Sequence, residues 1–163
     1  GHDLTYQADS GLVNGLEMPA SLYADMGGSL LTTEAVLQAL LLRQRPGKAH
    51  GKGVFHEVAL CDASTYLALP RTWGLTMPSG DVGGAHAGYK VYPCKNGRVA
   101  LAALEPHFAL RLCEAAGLPK QTAAQMHKRS THESIGQFLA SQTRAQLNQL
   151  ASSKDIPLHT LPR

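Results

Sequence analysis

Apolar residues recur at helical spacing between residues 23 and 44. The repeating positions are Leu30, Leu31, Val36, Leu37, Leu40 and Leu41. A proline-glycine pair at Pro46-Gly47 closes the run, and such a pair is typical of the end of a helix. The pattern therefore predicts one long helix from about Tyr23 to Gln44, with Asp25 in or just before its first turn.

A different pattern follows this helix. The segment Gly53-Val54-Phe55-His56-Glu57-Val58-Ala59-Leu60 is typical of a β-strand with polar residues on one side. Immediately after it, Asp62-Ala63-Ser64 can start another helix. Because helix, strand and helix follow one another, residues 1–70 are predicted to form a helix-strand segment of a layered α/β domain.

A β-hairpin is predicted in the second half of the chain. Two short apolar runs, residues 89–92 and 99–103, flank Lys95-Asn96-Gly97-Arg98. Asn-Gly between two apolar runs is the strongest short-range hairpin signal. Glu105-Pro106 is then expected to open a helix that ends before Gly117, with Phe108, Leu112 and Ala115 on one face.

The remaining segments complete a small domain. Helices are predicted at about residues 132–140 and 144–151, the latter with Thr143 as N-cap. The chain then ends in Ile156-Pro157-Leu158, which fits an edge strand or a loop. Residues 71–88 are rich in glycine and are predicted to be a flexible linker. The expected fold is thus an incomplete, Rossmann-like α/β part followed by a small α+β domain over residues 89–163.

Composition and charge narrow the classes of protein. With 163 residues, 44% of them hydrophobic and 17% charged, the chain has the profile of a globular protein of about one domain. The formal charge of +3 and an aromatic content of 6% do not favour a nucleic-acid partner. The most apolar stretch, residues 30–42, is interrupted by polar residues and falls short of the roughly 20 apolar residues of a membrane span.

The location of the protein is predicted from two further features. The first residues, Gly1-His2-Asp3-Leu4, contain no secretory signal pattern. Cys61, Cys94 and Cys113 are unpatterned, which favours reduced thiols and a cytoplasmic location. Because no initiator methionine is present, we expect a chain that was processed, tagged or cut from something larger.

Several kinds of site are not supported by the motifs. The eight histidines stand in no HExxH or Cys-x-x-Cys context, and His127 and His132 are five positions apart, so no metal site is predicted. The backbone of residues 80–88 has the glycine content of an anion cradle. It lacks the lysine and hydroxyl residue of a P-loop, however, which favours the linker interpretation. No Gly-x-Ser-x-Gly elbow supports a serine hydrolase.

Three places remain as candidates for chemistry. They are the pair His2-Asp3, the residue Asp25 before Gly27-Gly28, and Glu105 at the corner between the hairpin and its following helix. Asp25 and Glu105 also suit helix N-termini, where a carboxylate complements the helix dipole. His2 by itself is compatible with a purification remnant. Taken singly, each residue therefore leaves a structural and a catalytic interpretation open.

The order of the motifs along the chain gives a resemblance to a known family. The motifs are Gly1-His2-Asp3-Leu4-Thr5-Tyr6-Gln7, Ala24-Asp25-Met26-Gly27-Gly28, Leu41-Leu42-Arg43-Gln44-Arg45-Pro46-Gly47-Lys48, Glu57-Val58-Ala59-Leu60-Cys61-Asp62-Ala63, and Gly88-Tyr89-Lys90-Val91-Tyr92 through Ala103-Leu104-Glu105-Pro106-His107-Phe108. In this order the chain closely resembles the class III CoA-transferase superfamily, and most of all its α-methylacyl-CoA racemase branch. The resemblance spans essentially the whole chain and is strongest over residues 1–118.

The resemblance implies an enzyme that acts on coenzyme A thioesters and holds no tightly bound cofactor. Its members are interlocked dimers, each chain having a large Rossmann-like CoA-binding domain and a small domain. In the racemase branch the positions of His2 and Asp25 exchange a proton at the substrate's α-carbon, and the position of Glu105 partners the histidine. The resemblance further implies substrate-contacting or loop positions, which are Asp3, Gly27, Gly28, Gly83 and Gly84.

Two alternatives stay open beside the racemase. In the transferase branch the residue at the position of Asp25 attacks the thioester, and residues 80–88 match a glycine-rich loop found near the active site in some members. The Gly-His-Asp triplet favours the racemase. Because the chain resembles only the middle of a family member, the third hypothesis is an inactive assembly module. The expected partners are an acyl-CoA, a second copy of the chain, and a separate CoA-binding half.

Overall fold

The chain forms a mixed structure of helices and one small sheet. The computed structural model describes residues 1–44 and 53–163, which divide into two compact units, Gly1–Trp73 and Gly74–Arg163. Within these residues there are seven α-helices and one three-stranded antiparallel sheet. The predicted mixed α/β and α+β class is therefore confirmed.

The first unit is helical. Its helices are α1 (Asp3–Asp9), α2 (Tyr23–Gln44), α3 (Leu60–Leu67) and α4 (Leu69–Thr72). The long helix predicted from the apolar spacing is confirmed as α2. The pair Pro46-Gly47, which was predicted to end this helix, lies outside the residues that the structure describes. None of the helices in the described part of the chain is long and apolar enough to cross a membrane.

Glycine at two positions lets α2 approach α3. Gly27 and Gly28 are both buried. A Cβ atom on Gly28 would lie 2.3 Å from Leu60 Cδ2, and one on Gly27 would lie 3.3 Å from Ala63 Cβ. Since ordinary carbon contacts are about 3.5–4.0 Å, a side chain at Gly28 would displace the Leu60 side chain of α3.

The strand predicted at residues 53–60 is wrong. The backbone of residues 53–59 forms no strand, and Leu60 is instead the first residue of α3. A strand requires the hydrogen bonds of a neighbouring strand, and no strand lies among the described residues of the first unit. Val54 and Phe55, two of the apolar residues that suggested the strand, remain exposed, Phe55 at 89%.

The second unit packs three helices against one face of a sheet. Its strands are β1 (Tyr89–Cys94), β2 (Gly97–Ala102) and β3 (Leu158–Leu161), in the order β1-β2-β3. Its helices are α5 (Pro106–Ala115), α6 (Arg129–Ser141) and α7 (Arg144–Lys154), with short 3₁₀ helices at Asp81–Gly83 and Ala123–His127. The buried core joins Tyr92, Val99 and Leu101 of the sheet to Leu112, Met126, Ile135, Leu139 and Leu147.

The predicted hairpin is confirmed, but its two signal residues act through tertiary contacts. Cys94 pairs with Gly97 across the loop, and neither Asn96 nor Gly97 has a positive φ. Asn96 Oδ1 instead accepts a hydrogen bond from the backbone N–H of Arg144, at 2.8 Å. A Cβ on Gly97 would lie 2.3 Å from the carbonyl oxygen of Leu161. Asn-Gly thus allows the start of α7 and the edge strand β3 to meet the hairpin.

The other predicted elements of the second unit are also confirmed. Thr143 is the N-cap of α7, and its hydroxyl accepts from the N–H of Gln146 at 3.3 Å. The helix α5 begins after Glu105 with a proline, and Gly117 beyond its end has φ +69°. The chain end forms β3, an edge strand paired with β2.

Candidate active site

A buried carboxylate joins the beginnings of α1 and α2. Asp3 is only 7% exposed. Its Oδ1 accepts a hydrogen bond from the backbone N–H of Asp25 at 3.0 Å. Its Oδ2 accepts from the side-chain amide of Gln7, whose Nε2 also donates to the carbonyl of Ser21 at 3.0 Å. Asp3 therefore ties α1 both to the start of α2 and, through Gln7, to the turn before it.

The bond from Asp25 to Asp3 replaces a missing local cap. The first N–H groups of a helix have no partner inside the helix, and they are usually capped by a polar residue just before it. The residue before α2 is Leu22, whose side chain has no acceptor. Asp3, 22 positions earlier, supplies the acceptor instead. The contact fixes where Asp25, in the first turn of α2, is presented.

His2 and Asp25 line the same pocket. This pocket has a volume of about 340 Å³, and its apolar wall includes Leu4, Met18 and Leu60. Both polar side chains are exposed to solvent at this pocket. The first unit thus brings together two of the three residues that the sequence singled out for catalysis.

Thr5 holds the backbone of His2 at the start of α1. His2 precedes α1, and its backbone N–H donates to Thr5 Oγ1 at 3.2 Å. The Thr5 hydroxyl donates back to the carbonyl of His2 at 2.7 Å. The imidazole of His2 is exposed at the pocket.

Glu105 belongs to the second unit. It is the exposed N-cap of α5, and its side chain makes no capping hydrogen bond. The carboxylate therefore complements the helix dipole by its position alone, without a capping hydrogen bond. A pairing of Glu105 with His2 stays a prediction.

Of the four glycines that the family resemblance implies as substrate or loop positions, two lie inside a helix and two lie at a 3₁₀ turn. Gly27 and Gly28 lie inside α2 rather than in a loop, and both are buried against α3. Gly83 ends a 3₁₀ helix, and a Cβ there would lie 1.8 Å from the carbonyl oxygen of Met77. Gly84 has φ +102°, a conformation that favours glycine. Close packing and backbone shape account for glycine at all four positions.

Residues 80–88 are hydrogen-bonded within the second unit. The N–H groups of Gly83 and Ala85 both donate to the carbonyl of Gly80, at 2.9 and 3.2 Å. The N–H of Gly88 donates to Nδ1 of His86 at 3.0 Å. This segment thus has defined internal contacts, which its glycine-rich composition did not predict.

A histidine cluster was not predicted from the sequence. His86 is buried, and its ring lies 5.6 Å from that of His127. His132 Nε2 lies 2.9 Å from the carbonyl oxygen of Ala85, and its Nδ1 lies 3.3 Å from the hydroxyl of Tyr92. Because His86 precedes β1 whereas His127 and His132 belong to the later 3₁₀ helix and to α6, no local motif marks the cluster. Over residues 1–44 and 53–163, no three His, Cys, Asp or Glu side chains are arranged to hold a metal ion.

Burial changes the acidity of two members of this cluster. It lowers the pKa of His86, and the nearby His127 lowers it further, while Asp81 acts in the opposite direction. Burial also raises the pKa of Tyr92 to about 12. The Tyr92 hydroxyl therefore stays protonated and donates a hydrogen bond to the carbonyl oxygen of Ala87, at 2.9 Å.

Replacing Asp3 with alanine is expected to lower the free energy of unfolding by about 1–3 kcal/mol. The substitution leaves the N–H of Asp25 and one N–H of Gln7 without their acceptor, and a donor left unsatisfied on burial costs this amount. Asp9→Ala removes an exposed carboxylate at the other end of α1 and should change stability by less than about 0.5 kcal/mol. Urea denaturation measures both, and equal midpoints for the two variants would contradict the role of Asp3.

The chain is similar to one protein family in sequence and to several solved structures in fold. The sequence profile of CoA-transferase family III matches residues 1–162. A solved structure of Rv3272 from M. tuberculosis, in its orthorhombic form, has a TM-score of 0.74 and 22% identity, and the match covers 98% of this chain and 46% of that one. A CaiB/BaiF family protein from Brucella suis has a TM-score of 0.68 and 18% identity over 100% and 48% of the two chains.

These two structures show the fold that the chain shares. This chain spans less than half of the length of either one. No curated protein sequence matches it significantly.

Proposed function

This chain belongs to CoA-transferase family III, and on that basis we propose that it is part of an acyl-CoA racemase whose proton-transfer groups are His2 and Asp25. The observation that supports the proposal is their position on one pocket. The bond from Asp25 to the buried Asp3 adds support, because it fixes the helix that carries the carboxylate. The proposed substrate is a 2-methylacyl thioester of coenzyme A, and the proposed chemistry needs no tightly bound cofactor.

The proposed reaction moves one proton away from the α-carbon and returns another to its opposite face. A basic imidazole on His2 takes the α-proton, and the electron pair of the C–H bond moves into an enolate. A protonated carboxyl group on Asp25 then donates its proton to the other face, and the reverse direction exchanges the two roles. Such positioned acid-base groups typically supply about 10²–10⁴-fold in rate. Glu105 is proposed to orient His2, on the strength of the family resemblance.

The second candidate function is transfer of CoA between carboxylic acids. It is favoured by the exposure of the Asp25 side chain at its pocket, since a carboxylate nucleophile must reach the thioester carbonyl. Attack by Asp25 expels the CoA thiolate and forms an acyl anhydride. The thiolate then attacks the aspartyl carbonyl, which releases the acyl carboxylate and leaves a CoA thioester on the enzyme.

One experiment separates these functions from an inactive module. The protein, assembled with its CoA-binding part, is incubated with a 2-methylacyl-CoA in D₂O. Deuterium entering the α-carbon supports the racemase, and a mass increase from acylated Asp25 without deuterium entry supports the transferase. If neither deuterium entry nor acylation is detected, the hypothesis of an inactive assembly module remains.

The exposed face of α2 supports the proposed partners. Met26, Leu30, Leu37 and Leu41 recur at intervals of four and seven residues, so they share one face, and Leu30 is 69% exposed. Contiguous apolar surface of this kind marks an interaction site. We therefore propose that a second copy of the chain or a separate CoA-binding half covers this face, in the cytoplasm, where the free thiols of Cys61, Cys94 and Cys113 would stay reduced.

Self-association at micromolar concentration is expected from this apolar face, measured by light scattering. Leu37→Gln places a polar amide in its centre and should weaken association by about tenfold or more. The matched control is Leu42→Gln, which makes the same change on another side of α2 and should leave the association constant unchanged. A monomer at all micromolar concentrations would count against self-association, and equal effects of the two variants would count against this face.

A further inference from the structure

Residues 80–88, the glycine-rich segment, are bonded to the rest of the second unit in two ways. Backbone groups and a phenol make the first set of bonds. The N–H of Ala87 donates to the carbonyl of Met126 at 2.9 Å, and the Tyr92 hydroxyl donates to the carbonyl of Ala87 at 2.9 Å. Neither an amide nor a phenol changes its charge below neutral pH, so these bonds do not depend on acidity.

Histidines make the second set of contacts. Nε2 of His127 lies 3.3 Å from a carboxylate oxygen of Asp81, near the start of the segment. Nε2 of His132 lies 2.9 Å from the carbonyl oxygen of Ala85. His86 belongs to the segment itself, and the ring of His127 stands edge-on to its ring at 5.6 Å. Imidazole ordinarily gains its charge between about pH 5 and 8, so this second set responds to acidification.

His86 is the histidine whose neutral form the structure requires. It is 5% exposed, and Nδ1 of its ring accepts a hydrogen bond from the backbone N–H of Gly88 at 3.0 Å. A ring nitrogen that accepts carries no proton, so the proton of the neutral ring is on Nε2. A second proton on Nδ1 would place two N–H donors face to face. Protonation therefore leaves the buried N–H of Gly88 without its acceptor, which is costly inside a protein.

The surroundings of His86 oppose a positive charge on its ring. Burial lowers the pKa of His86 from its ordinary value of 6.5, and the nearby His127 lowers it further. Asp81 acts in the opposite direction, and His132 also lowers the pKa. A histidine of this kind binds its proton more readily after its surroundings open. The contacts of neutral His86 are therefore fully present above about pH 6.5 and are lost as the pH falls through the folded-state pKa.

The next charges around this cluster are mainly positive. His127 and His132 line a basic pocket of about 420 Å³, whose other charged residues are Lys90 of β1 and Arg129 of α6. Nε of Arg129 lies 2.7 Å from a carboxylate oxygen of Glu133. A proton on the buried ring would thus add positive charge to a region that is already basic, where like charges repel one another.

We propose that His86, with His127 and His132 beside it, is a pH-sensitive switch that keeps residues 80–88 bound to their neighbours at neutral pH and releases them in acid. Release takes up one proton, on Nδ1 of His86, and breaks the hydrogen bond from Gly88. The switch lies entirely in the second unit and includes neither His2 nor Asp25, so it does not depend on the proposed function.

Hydrogen exchange of backbone amides, measured by NMR on the full chain between about pH 7.5 and pH 5, tests the proposal. The protection factor of the Gly88 amide should be constant above about pH 6.5. Below it, the factor should fall by about tenfold per pH unit until the folded-state pKa is reached, because opening takes up one proton. A protection factor of Gly88 that does not change with pH would overturn the proposal.

The amide of Leu147 in α7 serves as the reference, since its N–H donates to the carbonyl of Thr143 within the folded core. At every pH its protection factor should exceed that of Gly88 by about tenfold or more, because the segment opens without unfolding of the unit. Equal protection factors of the two amides would mean that residues 80–88 open only when the whole unit unfolds. That result would refute a local switch.

His86→Asn removes the titrating ring and keeps an acceptor. An asparagine side-chain oxygen accepts from the N–H two residues further on, as in an Asx turn, and its amide does not titrate. The protection factor of Gly88 should stay near its original value at about pH 7.5 and no longer fall in acid. His159→Asn makes the same change at an exposed histidine of β3 and should leave the fall intact. A fall that persists in His86→Asn would contradict the proposal.

Two further variants test the neighbours of His86. His127→Gln removes a group that lowers the pKa of His86, so the total fall in Gly88 protection between about pH 7.5 and pH 5 should become smaller. Because His127 is exposed, this variant replaces His86→Asn if the latter does not fold, and an undiminished fall would then refute the switch. If His132→Gln abolishes the fall while His86→Asn retains it, the titrating residue is His132 and the proposal is wrong.

Discussion

Replacing Asp25 with asparagine is expected to slow α-proton exchange in a 2-methylacyl-CoA by about 10²–10⁴-fold. The amide has nearly the same shape as the carboxyl group but neither accepts nor donates the proton. The backbone N–H of Asp25, which binds Asp3, is unchanged, so the start of α2 should keep its position. Deuterium incorporation in D₂O, with the CoA-binding part present, measures the rate.

The companion variant His2→Gln distinguishes the two proposed reactions. Under the racemase proposal, His2→Gln should lower the rate of α-proton exchange as severely as Asp25→Asn, because each residue serves one face of the α-carbon. Under the transferase proposal only Asp25→Asn should abolish acyl transfer, since it removes the nucleophile. Asp62→Asn, which changes an exposed carboxylate in the first turn of α3, is the matched control. No exchange in the unsubstituted assembly would eliminate the racemase.

Replacing Gly83 with alanine is expected to destabilise the second unit by about 3 kcal/mol. The new Cβ would lie 1.8 Å from the carbonyl oxygen of Met77, and only a backbone shift can relieve this overlap. For a unit of this size, the loss corresponds to a melting temperature lower by about 12 °C or more. Thermal unfolding followed by circular dichroism measures it.

Gly53→Ala is the matched control for Gly83→Ala. Among residues 1–44 and 53–163, no atom lies within 4 Å of a Cβ at Gly53, and the φ of Gly53 is not positive, so the melting temperature of this variant should change by no more than about 2 °C. An unchanged melting temperature in Gly83→Ala would show that the loop tolerates a side chain. Glycine at this position would then need an explanation in ligand binding rather than in backbone shape.

The elements predicted well are those whose signals are local. The spacing of apolar residues gave α2 with its observed bounds, and Thr143 marked the start of α7 because a cap acts within one turn of its helix. The strand predicted around Phe55 failed because strand formation depends on a partner strand, and none lies among the described residues of that unit. Apolar alternation alone does not supply that partner.

The residues of the candidate site were likewise predictable from local motifs, whereas the contacts between distant residues were not. The order of motifs identified His2, Asp25 and Glu105 and led to the family that the profile match shows. It did not indicate that the carboxylate of Asp3 caps α2, because that bond joins residues 22 positions apart. Nor did it reveal the basic pocket beside Lys90, since His127 and His132 come from other parts of the chain.

The sequence by itself determined the family, the long helix, the hairpin and the identity of the residues proposed for catalysis. These follow from spacing and order, which are properties of the chain before it folds. Only the tertiary structure decided that Asp3 holds the helix of Asp25, that Asn96 and Gly97 serve α7 and β3 rather than a positive-φ turn, and that residues 53–59 form no strand. Each of these depends on a hydrogen-bond partner or a close contact distant in sequence, and only folding brings such groups together.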